Sequence, residues 1–133
     1  MKKYILILTA VFSFGYAAFA QTVKKSVVTN LSTERFKAIT DNDKKGMIID
    51  LRTSDEISKG FIKGSVQLDF LAKDAEKQID KLDKSKTYYI YCASGGRSTD
   101  AAEYMEKHDF KRVYTLEKGF SDWVKKQLPV EKK

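Results

Sequence analysis

Residues 88–98 read YYIYCASGGRS, and they indicate the fold class more clearly than any other part of the chain. The four β-prone residues 88–91 predict a buried strand that runs directly into Cys92. A loop of small residues follows, and a helix is predicted over residues 98–108. A buried strand that passes through a short loop into a helix is the repeating unit of an α/β sheet.

The same alternation of strand and helix signals extends on both sides of this segment. Strands are predicted at residues 46–51, 66–68, 88–91 and 113–116. Helices are predicted from the N-cap Ser32 to about residues 41–43, and at residues 53–57, 74–82, 98–108 and 120–126. We therefore expect one α/β domain over residues 31–130, with a mostly parallel sheet flanked by helices.

Composition sets the limits of the chemistry. The chain has 133 residues, of which 42% are apolar and 12% aromatic, and this favours one folded domain over two or over disorder. A single Cys excludes an intrachain disulfide, a CxxC redox pair and a Cys-based zinc site. With only one His, most zinc sites are unavailable as well. We expect neither a metal nor a cofactor.

The first twenty residues have the pattern of a secretory signal peptide. Lys2 and Lys3 precede an apolar stretch over residues 4–14, and Ala18-x-Ala20 is a cleavage signal. We predict a signal peptide at residues 1–20, an N-terminal extension at residues 21–30 and a periplasmic or secreted protein. The alternative is an uncleaved membrane anchor, although the apolar stretch is short for a bilayer span.

Charge gives little support for a nucleic-acid partner. The formal net charge is +7, and cleavage would remove two Lys and no acidic residue, which leaves 7 − 2 = +5. Basic and acidic residues are interleaved along the chain, as on an ordinary solvated surface. We expect no nucleic-acid binding, and no membrane association after cleavage.

Cys92 is the strongest candidate for a reactive residue. It follows a buried strand, where open α/β sheets place their ligand crevices. The backbone N–H groups of the small-residue loop, the helix N-terminus and the Arg97 charge would all favour a thiolate over a thiol. The alternative is that Cys92 is a small buried apolar residue. We predict a nucleophilic cysteine with a lowered pKa.

Two groups of motifs carry a family resemblance. The first is residues 47–53 (MIIDLRT), Glu56 and residues 60–65 (GFIKGS). The second is residues 91–98 (YCASGGRS), Gly119-Phe120-x-x-Trp123 and Leu128-Pro129. Together they resemble the rhodanese family of single-domain thiosulfate sulfurtransferases, including small exported versions. The resemblance covers residues 31–130. It implies a parallel five-stranded sheet and a cysteine that cycles between thiolate and persulfide.

The loop accommodates that chemistry. The Cys92 thiolate would take the outer sulfur from a donor such as thiosulfate, and cyanide or a thiol would then accept it. The remaining loop residues would stabilise the anions with N–H groups and the Arg97 charge: Ala93, Ser94, Gly95, Gly96, Arg97 and Ser98. Because the chain has no second Cys, the acceptor must be external, either a small molecule or a protein thiol.

Loop length and sequence departures refine this expectation. Four residues separate Cys92 from Arg97, whereas phosphatases that share the fold have one more, so sulfur transfer is favoured over phosphate chemistry. Many relatives have His, Pro and Arg where this chain has Phe61, Lys63 and Ala93. The absence of a cation at position 93 should weaken attraction for dianionic thiosulfate and favour a persulfide or protein donor.

Asp50, Arg52 and Trp123 are candidates for supporting roles. Asp50, at a strand end, is expected to cap the structure or pair with a nearby cation, with a functional acid as the alternative. Arg52 and Glu56 are expected to pair at i, i+4 across the short helix. Trp123 is expected either to line the mouth of the site or to pack in the core.

A non-turnover relay or partner-binding module remains the alternative to an enzyme.

Overall fold

The computed structural model describes residues 25–132. The predicted signal peptide and cleavage site lie outside the described residues. In this part of the chain, five strands and five helices alternate in order: β1 (Val28–Leu31), α1 (Thr33–Asn42), β2 (Met47–Asp50), α2 (Ser54–Ser58), β3 (Val66–Gln67), α3 (Ala75–Asp80), β4 (Thr87–Tyr91), α4 (Gly96–Lys107), β5 (Arg112–Leu116) and α5 (Gly119–Lys125). Within the described residues, no helix is long and apolar enough to cross a membrane.

The sheet has the strand order β1-β5-β4-β2-β3, and every paired strand is parallel to its neighbour. The predicted α/β class and parallel sheet are confirmed. The strand for which the sequence analysis found no signal is β1, which pairs with β5 from Val28 opposite Val113 to Leu31 opposite Leu116. Residues 28–30 thus belong to the sheet, although they precede the predicted domain start at residue 31.

The two faces of the sheet bury separate cores, and β4 supplies both of them. Tyr88, Ile90 and then Cys92 belong to the core that α3 and α4 cover. Tyr89 and Tyr91 belong to the core on the other face, which α1 and α5 cover. Because side chains alternate along a strand, this register places the Cys92 side chain on the α4 side of the sheet.

Local capping signals explain where the helices begin. Ser32 caps α1 by accepting from the Arg35 backbone N–H, as predicted. Thr53 and Glu56 form a reciprocal capping box at α2. Helix α4 begins at Gly96, two residues earlier than predicted, because Gly95 adopts φ 108° and serves as the N-cap. Arg97 and Ser98 therefore lie in the first turn of α4, next to the Cys92 loop.

Candidate active site

The Cys92 sulfur lies at the carboxyl end of β4, enclosed by the turn that leads into α4. The backbone N–H of Gly95 donates to Sγ at 3.1 Å. Sγ in turn donates to the Ser98 hydroxyl oxygen, 3.7 Å away. Cys92 is buried, with 1% of its surface exposed. The sulfur thus accepts from a loop N–H and contacts a hydroxyl in the first turn of α4, within the segment where the sequence predicted groups that favour a thiolate.

The loop presents N–H groups to the sulfur because its carbonyl groups are bound elsewhere. The Cys92 carbonyl accepts from the Phe120 N–H at 2.8 Å, and the Ala93 carbonyl accepts from the Ser121 N–H at 2.9 Å. Both donors belong to the first turn of α5, where N–H groups lack partners within the helix. The start of α5 therefore orients the loop, a contribution that the sequence analysis did not identify.

Two glycines allow this close docking. Gly95 has φ 108°, and a Cβ there would lie 2.3 Å from the Glu117 carbonyl oxygen. Gly119 has φ 67°, and a Cβ there would lie 2.5 Å from the Ala93 carbonyl oxygen. A side chain at either position would meet a backbone oxygen and adopt a strained conformation. Both positions therefore require glycine for the backbone conformation, and Gly95 also donates its N–H to the sulfur.

The hydrogen bonds around the sulfur outweigh the effect of its burial. Burial raises the pKa of the Cys92 thiol, but the Ser98 N–H, the Ser98 hydroxyl and the N–H groups of Gly95 and Ser94 lower it, and the net pKa is below the ordinary value. Hydrogen bonds to the charged form favour that form. The site therefore supports a thiolate nucleophile.

Ser98 is fully buried and has a hydroxyl that can serve either the backbone or the sulfur. Its Oγ donates to the Gly95 carbonyl at 3.0 Å. That carbonyl also accepts from the Thr99 N–H at 3.0 Å and from the Thr99 hydroxyl at 2.9 Å. Because the carbonyl keeps these donors, the Ser98 hydroxyl can turn to the sulfur when Cys92 is ionised.

Arg97 forms a forked ion pair with Glu56, a contact that the sequence analysis assigned to Arg52. Nη1 and Nη2 of Arg97 donate to the two carboxylate oxygens of Glu56 at 2.9 and 2.7 Å. The bonds from Arg97 lower the pKa of Glu56 to about 2 despite partial burial. The expected Arg52–Glu56 pair is wrong because Arg52 precedes the helix, so the i, i+4 spacing of a helix face does not apply to it.

Arg52 instead forms a buried pair with Asp50. Its Nε and Nη2 donate to the two Asp50 oxygens at 2.9 and 2.7 Å, and Nη2 also donates to the Gly60 carbonyl at 2.8 Å. The Tyr91 hydroxyl donates to Asp50 as well. This confirms Asp50 as the partner of a cation. The Tyr91 hydroxyl was missed, because the sequence analysis treated this tyrosine as strand packing alone.

Trp123 packs in the core with Phe120 and Tyr91, and 3% of its surface is exposed. Its Nε1 donates to the Pro129 carbonyl at 2.9 Å. Of the two expected roles, the structure shows the core role.

Of the other predicted loop residues, Ala93 is half-buried, and Ser94 and Gly96 are exposed. Among residues 25–132, no cluster of His, Cys, Asp and Glu could hold a metal ion.

Comparisons with known proteins identify relatives of this chain in sequence and in fold. Residues 32–126 match the family described as "Rhodanese-like domain". YrkF of Bacillus subtilis, whose name ascribes to it the role of a sulfur carrier protein, is 36% identical over 101 residues, which is 76% of this chain and 54% of YrkF. This chain thus spans about half the length of that relative.

Two further matches cover almost the whole of the proteins concerned. YtwF of Bacillus subtilis, to which its name ascribes sulfurtransferase activity, is 29% identical over 77% of this chain and 96% of its own length. The crystal structure of a rhodanese-like domain protein from Staphylococcus aureus superposes with a TM-score of 0.68 at 26% identity, over 79% of this chain and 98% of that one.

Proposed function

This chain belongs to the rhodanese-like domain family, and from that premise we propose that it is a sulfurtransferase that carries a sulfane sulfur as a persulfide on Cys92. One observation carries the proposal. The Cys92 sulfur accepts from the Gly95 N–H and faces the Ser98 hydroxyl, and its pKa is lowered although it is buried. A buried thiol without such donors would have a raised pKa and little reactivity.

The first half of the reaction loads the sulfur. The Cys92 thiolate attacks the outer sulfur of a donor such as thiosulfate and forms a new S–S bond. The S–S bond of the donor breaks, and sulfite leaves with the bonding electron pair. The persulfide anion on Cys92 is stabilised by the loop N–H groups that the start of α5 keeps turned inward.

The second half returns the site to its starting state. Cyanide or a thiolate attacks the outer sulfur of the persulfide, and the Cys92 thiolate leaves with the electron pair of the broken S–S bond. The products are thiocyanate or a new persulfide. Because the chain has a single Cys, each half-reaction uses a separate external molecule, and ping-pong kinetics follow.

Thiocyanate formation from thiosulfate and cyanide tests this proposal directly. We expect turnover by the purified protein, and a mass gain of one sulfur atom on Cys92 after incubation with donor alone. The control is Cys92→Ala, which should lose both signals. Turnover that persisted in Cys92→Ala, or the absence of any sulfur on Cys92 with every donor tried, would overturn the proposal.

A sulfur relay is the second candidate. It is supported by the match to YrkF, whose name ascribes a carrier role, and by the burial of Cys92, which limits access to the sulfur. In a relay, Cys92 would accept sulfur and release it only to a partner protein thiol. Stable loading of Cys92 with no thiocyanate formation would favour the relay over the enzyme.

We also propose that the protein is exported and acts in the periplasm or outside the cell. The support is the charged start, apolar stretch and Ala18-x-Ala20 cleavage signal of residues 1–20. The intact mass of protein recovered from the exported fraction tests this proposal. We expect a chain that starts at Gln21, and retention of residues 1–20 would contradict the cleavage.

A further inference from the structure

The Cys92 loop has one cation, and that cation is already paired. Residues 92–98 contain Arg97 and no other charged side chain apart from the thiolate. Both terminal nitrogens of Arg97 donate to Glu56. The strongest charge effects on the pKa of Arg97 come from Glu56, the Cys92 thiolate and Asp69, all of which are negative and raise it. Arg97 therefore lies close to the sulfur without offering it a free positive charge.

Glu56 is fixed in place by its own helix. Its Oε2 accepts from the Thr53 N–H at 2.9 Å and from the Thr53 hydroxyl at 3.0 Å, in addition to Arg97. Moving the carboxylate away from Arg97 would break the capping box of α2 as well as the ion pair. Thr53 therefore holds the Glu56 carboxylate in place beside Arg97 when a ligand approaches.

The Arg97 charge and the charges that act on it sum to a negative value. Arg97 contributes one positive charge, Glu56 and Asp69 contribute one negative charge each, and the Cys92 thiolate adds another. Ala93, beside the cysteine, contributes none. A dianion such as thiosulfate must approach against this charge, whereas a neutral donor is not repelled, and the energy of such a charge interaction is several-fold larger in a partly buried site than in bulk water.

We propose that Glu56 is a specificity-determining residue that, by neutralising Arg97, makes Cys92 prefer sulfane donors with little or no negative charge, such as organic persulfides, over dianionic thiosulfate. This inference rests on the proposed function. The preferred step is attack of the Cys92 thiolate on the outer sulfur of R–S–SH. The S–S bond of the donor breaks, the thiolate R–S⁻ leaves with its electron pair, and Cys92 keeps the outer sulfur and its proton. Glu56 acts through Arg97 and is a positioning residue.

Alkylation of Cys92 in the full chain tests the electrostatic part of the inference without any sulfur transfer. Iodoacetamide is neutral and iodoacetate is an anion, and both react with the same thiolate. We expect the native protein to disfavour iodoacetate more strongly than a neutral cysteine peptide does. Glu56→Gln should raise the iodoacetate-to-iodoacetamide rate ratio about tenfold, since it frees one charge in a partly screened site. A purely structural role would change both rates together.

Asp55→Asn is the matched control. Asp55 is exposed, lies one residue before Glu56 in α2, and loses the same charge by the same isosteric change. It forms no ion pair among residues 25–132. We expect its rate ratio to stay within about twofold of the native value. An unchanged ratio in Glu56→Gln, or an equal rise in Asp55→Asn, would overturn the inference.

A measurement on the native protein covers the case in which Glu56→Gln does not fold. Added salt screens charge, so it should speed the iodoacetate reaction and leave the iodoacetamide reaction unchanged if the net local charge is negative. Salt that slows the iodoacetate reaction would show a free positive charge and overturn the inference.

Donor competition tests the substrate class and separates the two proposals. We expect Glu56→Gln to raise kcat/KM for thiosulfate about tenfold, mainly through a lower KM. The change should be less than about twofold for cysteamine persulfide at equal concentration, because its ammonium group leaves this donor without net negative charge. If Cys92 acquires sulfur from neither donor, the proposed function fails, and the inference on donors fails with it. If sulfur is acquired but the donor ratio does not move in Glu56→Gln, only the inference fails.

Discussion

Gly119 lies against the Ala93 carbonyl so closely that a Cβ at position 119 would be 2.5 Å from that oxygen. The contact brings the first turn of α5 onto the Cys92 loop, where the N–H groups of Phe120 and Ser121 bind the Cys92 and Ala93 carbonyls. A residue 27 positions after the cysteine in the sequence thus helps to decide which way the loop backbone faces. This dependence can be tested by adding a single methyl group.

Gly119→Ala should destabilise the fold and impair the site together. The added Cβ meets backbone, and φ at this position is 67°, so we expect a loss of about 2–4 kcal/mol in the free energy of unfolding. Urea unfolding measures the loss. Gly96→Ala is the control, because position 96 is helical and has open space around it, so we expect a gain of about 0.5–1 kcal/mol. Equal effects of the two variants would contradict the prediction.

Ser98→Ala should raise the pKa of Cys92, because the Ser98 hydroxyl lies next to the sulfur and lowers that pKa. Iodoacetamide alkylation followed against pH should show its midpoint at higher pH. At neutral pH we expect the rate to fall about tenfold, the value of one hydrogen bond to a charged group. Thr99→Ala is the comparison, since Thr99 binds the same Gly95 carbonyl without touching the sulfur. A midpoint that moved equally in both variants would rule out a direct role for Ser98.

Tyr91→Phe should destabilise the fold through the polar groups that it leaves behind. The Tyr91 hydroxyl donates to Asp50 and accepts from the Ile62 N–H at 3.1 Å, and both are buried. Loss of the hydroxyl should cost about 2–3 kcal/mol in the free energy of unfolding. Tyr88→Phe, which loses one bond to the Asp83 carbonyl at the edge of the structure, should cost about 1 kcal/mol or less. Thermal unfolding of the two variants should show this order, and the reverse order would refute it.

The Glu56–Arg97 pair should make stability depend on pH in the acid range. Bonds from Arg97 lower the pKa of Glu56 from 4.5 to about 2, so the unfolded chain takes up a proton near pH 4.5 while the folded protein resists it. The stabilisation is complete above pH 4.5 and is lost as the pH falls towards 2. Because the pair is partly exposed, we expect about 1 kcal/mol after screening.

Urea unfolding at several pH values measures the pH-dependent stabilisation by the Glu56–Arg97 pair. Glu56→Gln should be less stable than the native protein at pH 7, and the difference should shrink as the pH falls from 4.5 towards about 2. Asp55→Asn removes a neighbouring charge and is expected to show no such convergence. A constant difference between Glu56→Gln and the native protein over this range would mean that the pair contributes no pH-dependent stability.

The sequence allowed prediction of those features that depend on neighbouring residues. The run of β-prone residues before Cys92 predicted the position of β4. Because successive side chains along a strand point to opposite faces of the sheet, the same run sets the face on which Cys92 lies. The prediction of Ser32 as the N-cap of α1 was correct, because a capping side chain binds a backbone N–H in the first turn of its own helix. Small residues after Cys92 predicted a loop whose backbone N–H groups face the sulfur, and in the structure the Gly95 N–H donates to Sγ.

Contacts between distant segments were not predictable in this way. Glu56 and Arg97 are 41 positions apart, and only the order of strands in the sheet brings α2 beside the start of α4. Strand β1 has four residues, two of them exposed, so it has no hydrophobic run, and its pairing with β5 defines it. The same holds for the Tyr91 hydroxyl, whose partners come from residues 50 and 62.

The hydrogen bonds from α5 to the Cys92 loop also matter during synthesis of the protein. A growing chain emerges from its N-terminus, so Cys92 is made before the helix that turns its loop inward. Until residues 119–121 have been made, the Cys92 and Ala93 carbonyls lack these hydrogen-bond donors. The thiol of the nascent chain then has the reactivity of an ordinary cysteine. The hydrogen bonds from α5 can therefore form only after residues 119–121 have been made, so the loop takes up its inward-facing conformation, and the thiol its lowered pKa, after this later helix packs on it.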